Sequence, residues 1–327
     1  MDLEHIRLAC IGCGRIAQDH LYAMSTLDNA EIVGVVDTQI NIAKSVAEQF
    51  ECKSYITPED LVKNQDVDAV TICTPPSTHH QMTNFFLEHG IHVLCEKPLT
   101  LTAADSEDLV RKAEKMGVTF MMAAKFRYVN DVVKAKGIIE SGILGSISFF
   151  ENTFCSYVDM KNRWNSDRSL SGGGVLIDNG PHAIDLVRFL LGEIVNVQAI
   201  QGPQVQDVEV EDTIRMFFQT RAGVLGTIDL SWSLHKPVDD YIMIHGSEGS
   251  LSIGWPGSGY HVRNRQQRIE FGSGYNKREA FVKQHKHFIE CITGQSIPII
   301  NMADGVRVMQ IIEASYQSME ENHWVSV

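Results

Sequence analysis

The chain has 327 residues, enough at roughly 150 per domain for two domains, and its 44% hydrophobic and 21% charged residues, 25 Gly and 9 Pro describe a globular protein, not a collagen-like, disordered or disulfide-stapled one. With 28 basic against 41 acidic side chains the net charge is −13, which repels phosphate backbones and anionic lipid and argues against nucleic-acid or membrane partners. No run approaches the roughly 18 apolar residues of a spanning helix, and Met1-Asp2-Leu3-Glu4-His5 lacks the basic and apolar parts of a secretory signal, so a cytoplasmic protein is expected.

Seven cysteines, an odd number lying mostly in apolar runs, are expected to be reduced and to form no structural disulfide. The Cys10-x-x-Cys13 pair straddles a strand end and a glycine turn. It is read as small residues packed near backbone, not as a redox motif.

From Ile6 onward, short β-rich runs alternate with amphipathic stretches, the pattern of parallel strands joined by crossover helices. Strands are predicted at 6–11, 31–37, 69–74, 92–95 and 119–123, nearly continuous in hydrophobicity as a sheet covered on both faces requires. Helices are predicted at 15–27, 40–50, 78–89 and 103–116, with Gly90 and Gly117 at C-terminal cap positions. This is a doubly wound, Rossmann-type α/β domain, placed at 1–125.

The first strand runs into Gly12-Cys13-Gly14-Arg15-Ile16-Ala17, a GxGxxA opening a helix. Gly12 permits the tight turn, Gly14 the approach of a pyrophosphate, and Ala17 close packing of helix on strand. Asp37 closes the second strand, where a carboxylate accepts hydrogen bonds from an adenosine ribose. Its charge repels a 2′-phosphate and Thr38 offers no cation, so NAD is expected in preference to NADP.

Two more strands end in polar residues at the carboxyl edge, where open α/β sheets bind ligands. Thr74-Pro75-Pro76-Ser77-Thr78-His79 follows one and Glu96-Lys97-Pro98 the other. Thr74, Pro75, His79, Glu96 and Lys97 are therefore candidate cofactor contacts, with His80 left to solvent. Pro98 restricts Lys97 to extended conformations and so aims its ammonium.

After Tyr128 an amphipathic stretch to about Ser141 leads into a second domain, placed at 126–327. Strands predicted at 147–154, 196–201, 213–220, 224–233, 241–246 and 250–255 alternate as in an antiparallel sheet, and the glycine-bearing connections 221–223 and 247–249 imply hairpins. Helices at 175–191, 278–292 and 304–321 are available to cover one face of that sheet. Asp178 and His182 are spaced i,i+4, on one face if the helix is continuous. Pro181 suits a first turn or kinks an interior one.

GxGxxA, Asp37, Thr74–His79, Glu96-Lys97-Pro98 and Gly172-Gly173-Gly174-Val175-Leu176-Ile177-Asp178-Asn179-Gly180-Pro181-His182-Ala183-Ile184-Asp185 together resemble the glucose–fructose oxidoreductase, inositol 2-dehydrogenase and rhizopine-catabolism (Gfo/Idh/MocA) family, in order along nearly the whole chain. The resemblance implies a Rossmann domain followed by an α+β domain with a large open, mostly antiparallel sheet. It implies a dehydrogenase of CH–OH groups that moves a hydride between nicotinamide and a secondary hydroxyl of a sugar, cyclitol or nucleotide sugar, and assembly as a homodimer or homotetramer through the second-domain sheet. It places Lys97, Asp178 and His182 in the active site and Arg127 as a basic substrate contact. Many relatives carry Trp-Arg before the triple glycine. Here Asn165 follows Trp164, which leaves Arg163 and Arg168 as the nearby arginines, with Trp164, Tyr157 and His235 as further candidates for contact with substrate in the pocket.

Removing hydride and proton from a secondary alcohol calls for a base near neutrality and a positive charge facing the developing alkoxide. His182 suits the first role, Lys97 the second and Asp178 a positioning role, with exchange of the first two left open. Metal ligation by Asp178, His182 and Asp185, or by His285 and His287, is conceivable by residue type, but no zinc spacing appears and none is expected. Two rivals share the fold. One recycles a bound cofactor in hydrolysis, epimerisation or elimination. The other is a non-catalytic NAD-responsive binding protein.

Overall fold

The structure is a computed structural model and describes residues 5–263, 265 and 267–327. Residues 1–4, read above for their lack of a signal, lie outside it. The chain forms two compact units, Met1–Lys125 with Arg278–Arg307, and Phe126–Lys277 with Val308–Val327.

In chain order the first unit comprises β1 (Ile6–Ile11), α1 (Arg15–Ser25), β2 (Ala30–Val36), α2 (Ile40–Gln49), β3 (Lys53–Tyr55), α3 (Pro58–Asn64), β4 (Ala69–Ile72), α4 (His79–Glu88), β5 (His92–Glu96), α5 (Ala103–Met116) and β6 (Phe120–Ala123). All six strands run parallel in the order β3-β2-β1-β4-β5-β6. The order reverses beside β1, the switch point at whose carboxyl edge such sheets take ligands. Helices on both faces bury β4 and β6 completely, which is why those strands read as unbroken apolar runs. Thr102 caps α5 by accepting the Asp105 N–H at 3.1 Å, and Gly117 ends it at φ 67°. The pattern missed β3 and α3, which at three and seven residues are too short to show a period.

The second unit begins with α6 (Asn130–Glu140), β7 (Ile147–Cys155), a short turn α7 (Arg168–Ser171) and α8 (Val175–Leu191). There follow β8 (Ile194–Gln201), β9 (Thr213–Thr220), β10 (Leu225–Ser231), β11 (Asp240–Gly246), β12 (Gly249–Gly254), β13 (Ser258–Val262) and β14 (Ile269–Gly272). The chain then returns to the first unit through most of α9 (Lys277–Ile292), passes along α10 (Met302–Glu321) and ends in β15 (Val325–Ser326). A nine-stranded sheet forms in the order β14-β13-β12-β11-β7-β10-β9-β8-β15. The expectation of antiparallel strands needs one correction, because β7 and β10 pair parallel, Phe149 opposite Leu225 through Cys155 opposite Ser231. A stretch that includes α8 intervenes between these two strands, and so long a crossover lets them run the same way. Phe150, Ile228, Met216, Phe218, Ile242 and Ile244 are buried on the sheet, and α8 packs against β7, β9 and β10. Among the described residues no helix is long and apolar enough to cross a membrane.

Candidate active site

β1 delivers the chain into Gly12, whose φ of 88° and whose Cβ position, 2.9 Å from the Cys73 carbonyl, admit glycine alone. Asp37 sits just beyond β2 and locks this turn. Its Oδ2 accepts the Cys13 N–H at 2.9 Å and its Oδ1 the Gln39 N–H at 2.8 Å. Gly14 precedes α1 with no side chain to cap the helix, and a Cβ there would meet nothing within 4 Å. Arg15 and Ile16 open the helix and Ala17 is 0% exposed. An uncapped helix N-terminus, an open approach at Gly14 and a fixed carboxylate at the edge fit the pyrophosphate and ribose of a dinucleotide. Cys13 is packed against this turn and burial pushes its thiol above the usual range, while Cys10 Sγ lies 3.9 Å from Cys73 Sγ. All seven cysteines are free.

At the ends of β4 and β5, Thr78 Oγ1 lies 2.8 Å from the Pro75 carbonyl oxygen, to which it donates, and 2.7 Å from Thr74 Oγ1. His79 differs from expectation. It is 1% exposed, with Nδ1 2.7 Å from the Pro98 carbonyl oxygen and Nε2 2.9 Å from that of Thr74. Each ring nitrogen faces a backbone carbonyl oxygen, one on each of the two candidate loops, and the neutral ring can donate to only one of them at a time. Burial holds its imidazole below the usual range. His80 faces Asp108, 3.2 Å away. The Lys97-Pro98 peptide is cis. Glu96, another expected cofactor contact, turns inward at 8% exposure. Its Oε1 lies 2.8 Å from His20 Nε2 and its Oε2 accepts the Lys97 N–H at 3.0 Å. Lys97 itself is half-buried.

In the second unit α8 runs unbroken through Pro181, which cannot donate to the carbonyl one turn back, so Asp178 and His182 share a face one turn apart, both half-buried. The N-terminus of α8 is capped from a distance. Glu211 accepts the N–H of Gly174 at 2.9 Å and of Leu176 at 3.1 Å, and takes the Tyr316 hydroxyl at 2.8 Å. This explains the last two of the three glycines. A Cβ on Gly173 would lie 2.0 Å from the Tyr316 hydroxyl oxygen, and one on Gly174 equally near the Glu211 carbonyl oxygen. Phe126 meets the His182 ring edge-on at 5.2 Å.

Arg127, expected to contact substrate, is 5% exposed and gives Nε and Nη2 to Asp185 on α8 at 2.9 and 2.6 Å. Its guanidinium lies 5.2 Å over Phe189, so its charge is committed inside the fold. Of the other pocket candidates, Trp164 and Tyr157 are 42% and 64% exposed, Arg163 is half-buried, and Arg168 and His235 are exposed. Among the described residues no three His, Cys, Asp or Glu side chains form a group able to hold a metal ion.

The family model of oxidoreductases with an NAD-binding Rossmann fold matches residues 6–124, and that of the GFO/IDH/MocA C-terminal domain matches 132–252. The chain belongs to the Gfo/Idh/MocA oxidoreductases. The match to the NAD-binding Rossmann fold spans the glycine turn and Asp37. It is 25% identical to a myo-inositol 2-dehydrogenase of Thermotoga maritima over 98% of both chains. Identity is 24% to a D-glucoside 3-dehydrogenase of Escherichia coli, covering 98% of this chain and 97% of the relative. The solved aldose-aldose oxidoreductase of Caulobacter crescentus, complexed with glycerol, superposes with a TM-score of 0.89 at 25% identity, covering 99% of this chain and 100% of that one.

Four residues packed against the candidate site residues carry no motif in the sequence. His20 and His285 sit behind Glu96, and Glu211 and Tyr316 sit beneath α8. The i,i+4 spacing that singles out Asp178 and His182 has no counterpart for partners brought together from distant segments.

Proposed function

We propose that this oxidoreductase moves a hydride between NAD and a secondary hydroxyl, or the corresponding ketone, of a sugar or cyclitol. The observation that carries the reading is α8, a helix capped by Glu211 that holds a carboxylate and an imidazole on one face, one turn apart. A protein that only bound NAD would need the glycine turn and no such acid–base pair. The names of the two dehydrogenase relatives support the substrate class.

Gly12, Gly14 and the first turn of α1 hold the pyrophosphate, and Asp37 takes the adenosine ribose and repels a 2′-phosphate. NAD, when bound, accepts or returns the hydride at its nicotinamide ring. His182 removes the hydroxyl proton, as the side chain whose ordinary pKa lies nearest neutrality. Asp178 accepts a hydrogen bond from the substrate or the imidazole and fixes its direction. Lys97 places its ammonium against the negative charge that grows on the substrate oxygen.

The test is purified protein with NAD and a panel of inositols, aldoses and glycosides, followed by NADH absorbance. Accumulating NADH supports a net dehydrogenase. No NADH with any member, while NAD binding is intact, overturns the reading. The reading also includes a cytoplasmic setting, in keeping with seven free thiols. It includes a second copy of the chain over the outer sheet face, where the paired neighbours Phe149 and Leu225 are 54% and 45% exposed. Light scattering that finds only the 36.6 kDa species refutes the assembly.

A further inference from the structure

Behind Lys97 the first unit holds a chain of buried polar groups. His20 on α1 and His285 on α9 are both 0% exposed. They are 265 residues apart in sequence, yet His20 Nδ1 lies 2.8 Å from His285 Nε2. On the other side of the ring, His20 Nε2 reaches Glu96 Oε1, and Glu96 Oε2 accepts the Lys97 N–H. Phe281, one turn before His285, meets the His20 ring edge-on at 4.7 Å and limits its rotation. Among the described residues His285 Nδ1 has no hydrogen-bond partner, so the chain stops there inside the protein. A route for moving protons to solvent would need an exit at that end.

The protons are assigned by the donors and acceptors available. An ionised Glu96 only accepts, so His20 carries hydrogen on Nε2. With Nδ1 of His20 accepting, His285 donates from Nε2, which leaves a bare lone pair on His285 Nδ1. The opposite order leaves a buried N–H with nothing to bond, the costlier defect. Burial pushes His285 well below the usual imidazole range, in keeping with a neutral ring. Burial alone would push the Glu96 carboxyl up, but its hydrogen bond to His20, the electrostatic pull of that imidazole and the charges of Lys97 and Lys125 hold it below the usual carboxylate range. The other ionisable groups facing Glu96 are His79, Cys73 and Cys95.

We propose that His20, held in turn by His285, is a positioning residue for Lys97 that acts through the Glu96 carboxylate. It rests on the reading above in that Lys97 serves the reaction. In His20→Leu, Glu96 loses its donor and, being buried, takes up a proton as the pH falls. The expected kcat is lower than wild type by about tenfold or more at the acid end of the range and recovers toward the alkaline end, with KM for NAD little changed. His20→Gln, which keeps an N–H toward Glu96, restores the acid-side rate. His285→Phe gives a milder form of the same profile. An unchanged profile, or an equal loss at every pH, overturns the proposal.

A second measurement does not depend on turnover. The backbone amide signal of Lys97 in nitrogen-edited spectra moves in His20→Leu and returns in His20→Gln. A signal that stays in place overturns the proposal whether or not polyols are oxidised. Wild-type protein that oxidises no polyol while this signal responds to His20 overturns the dehydrogenase reading and supports the chain.

Discussion

Replacing Arg127 by Leu separates a role in the second unit's fold from a role in holding substrate. The guanidinium makes its two bonds to Asp185 with side chains 5% and 1% exposed, so the variant strands a carboxylate out of reach of water. Breaking one side of a buried pair costs about 3–5 kcal/mol, and the lost contact with Phe189 adds to it. At roughly 2–4 °C per kcal/mol for a domain of this size, the unfolding midpoint of the second unit drops by about 6–20 °C. The double variant Arg127→Leu, Asp185→Leu should recover most of that loss, because an apolar pair of similar volume in place of a buried ion pair is often neutral. Circular dichroism on heating gives the midpoints, and turnover measured well below them gives kcat and KM, which should stay near wild type. An Arg127→Leu protein that melts like wild type but has lost substrate affinity would refute the assignment.

Lys97→Ala and His182→Ala should each lower kcat by at least about 100-fold while NAD still binds in a fluorescence titration; near-normal turnover in both ends the proposed chemistry. Gly12→Ala forces a Cβ to 2.9 Å from the Cys73 backbone at a φ of 88°. Strain of about 1–3 kcal/mol should appear as a lower unfolding midpoint together with weaker NAD binding, and unchanged calorimetric affinity for NAD would contradict the role of the turn. Asp37→Ser should cut kcat/KM with NAD by about 10- to 100-fold and narrow the gap to NADP, whereas an unaltered cofactor ratio would detach Asp37 from the ribose. Burial would raise the Asp68 carboxyl, but its hydrogen bonds and ion pair with Arg7 hold it below the usual range. A depressed folded value stabilises above the unfolded carboxyl range, about pH 4, and that contribution is lost as pH falls through the folded value. Asp68→Asn should therefore flatten the acid limb of the stability curve, and an identical limb in both proteins would refute it.

The glycine turn, Asp37 and the first-unit strands were legible because each is written in a few neighbouring residues: a turn that needs glycine, a period of two or of 3.6, an acid at a strand end. Asp178 and His182 were legible for the same reason, and α8 carries them through Pro181 as one helix. For Arg127, His79 and Glu96 the structure shows buried partners that the sequence did not announce. All three are polar residues near ligand-binding edges, and nothing local says whether such a side chain faces the ligand or the interior.

By itself the sequence determined the doubly wound first half, the glycine turn with its acid, and the helix that bears the candidate base, since backbone conformation answers to adjacent residues. Only the tertiary structure decided that β7 and β10 pair parallel, that Arg127 spends its charge on Asp185, and that α9 brings His285 against His20. Contacts between segments tens or hundreds of residues apart arise where packing buries polar groups that must then find one another, and no spacing along the chain encodes which ones meet.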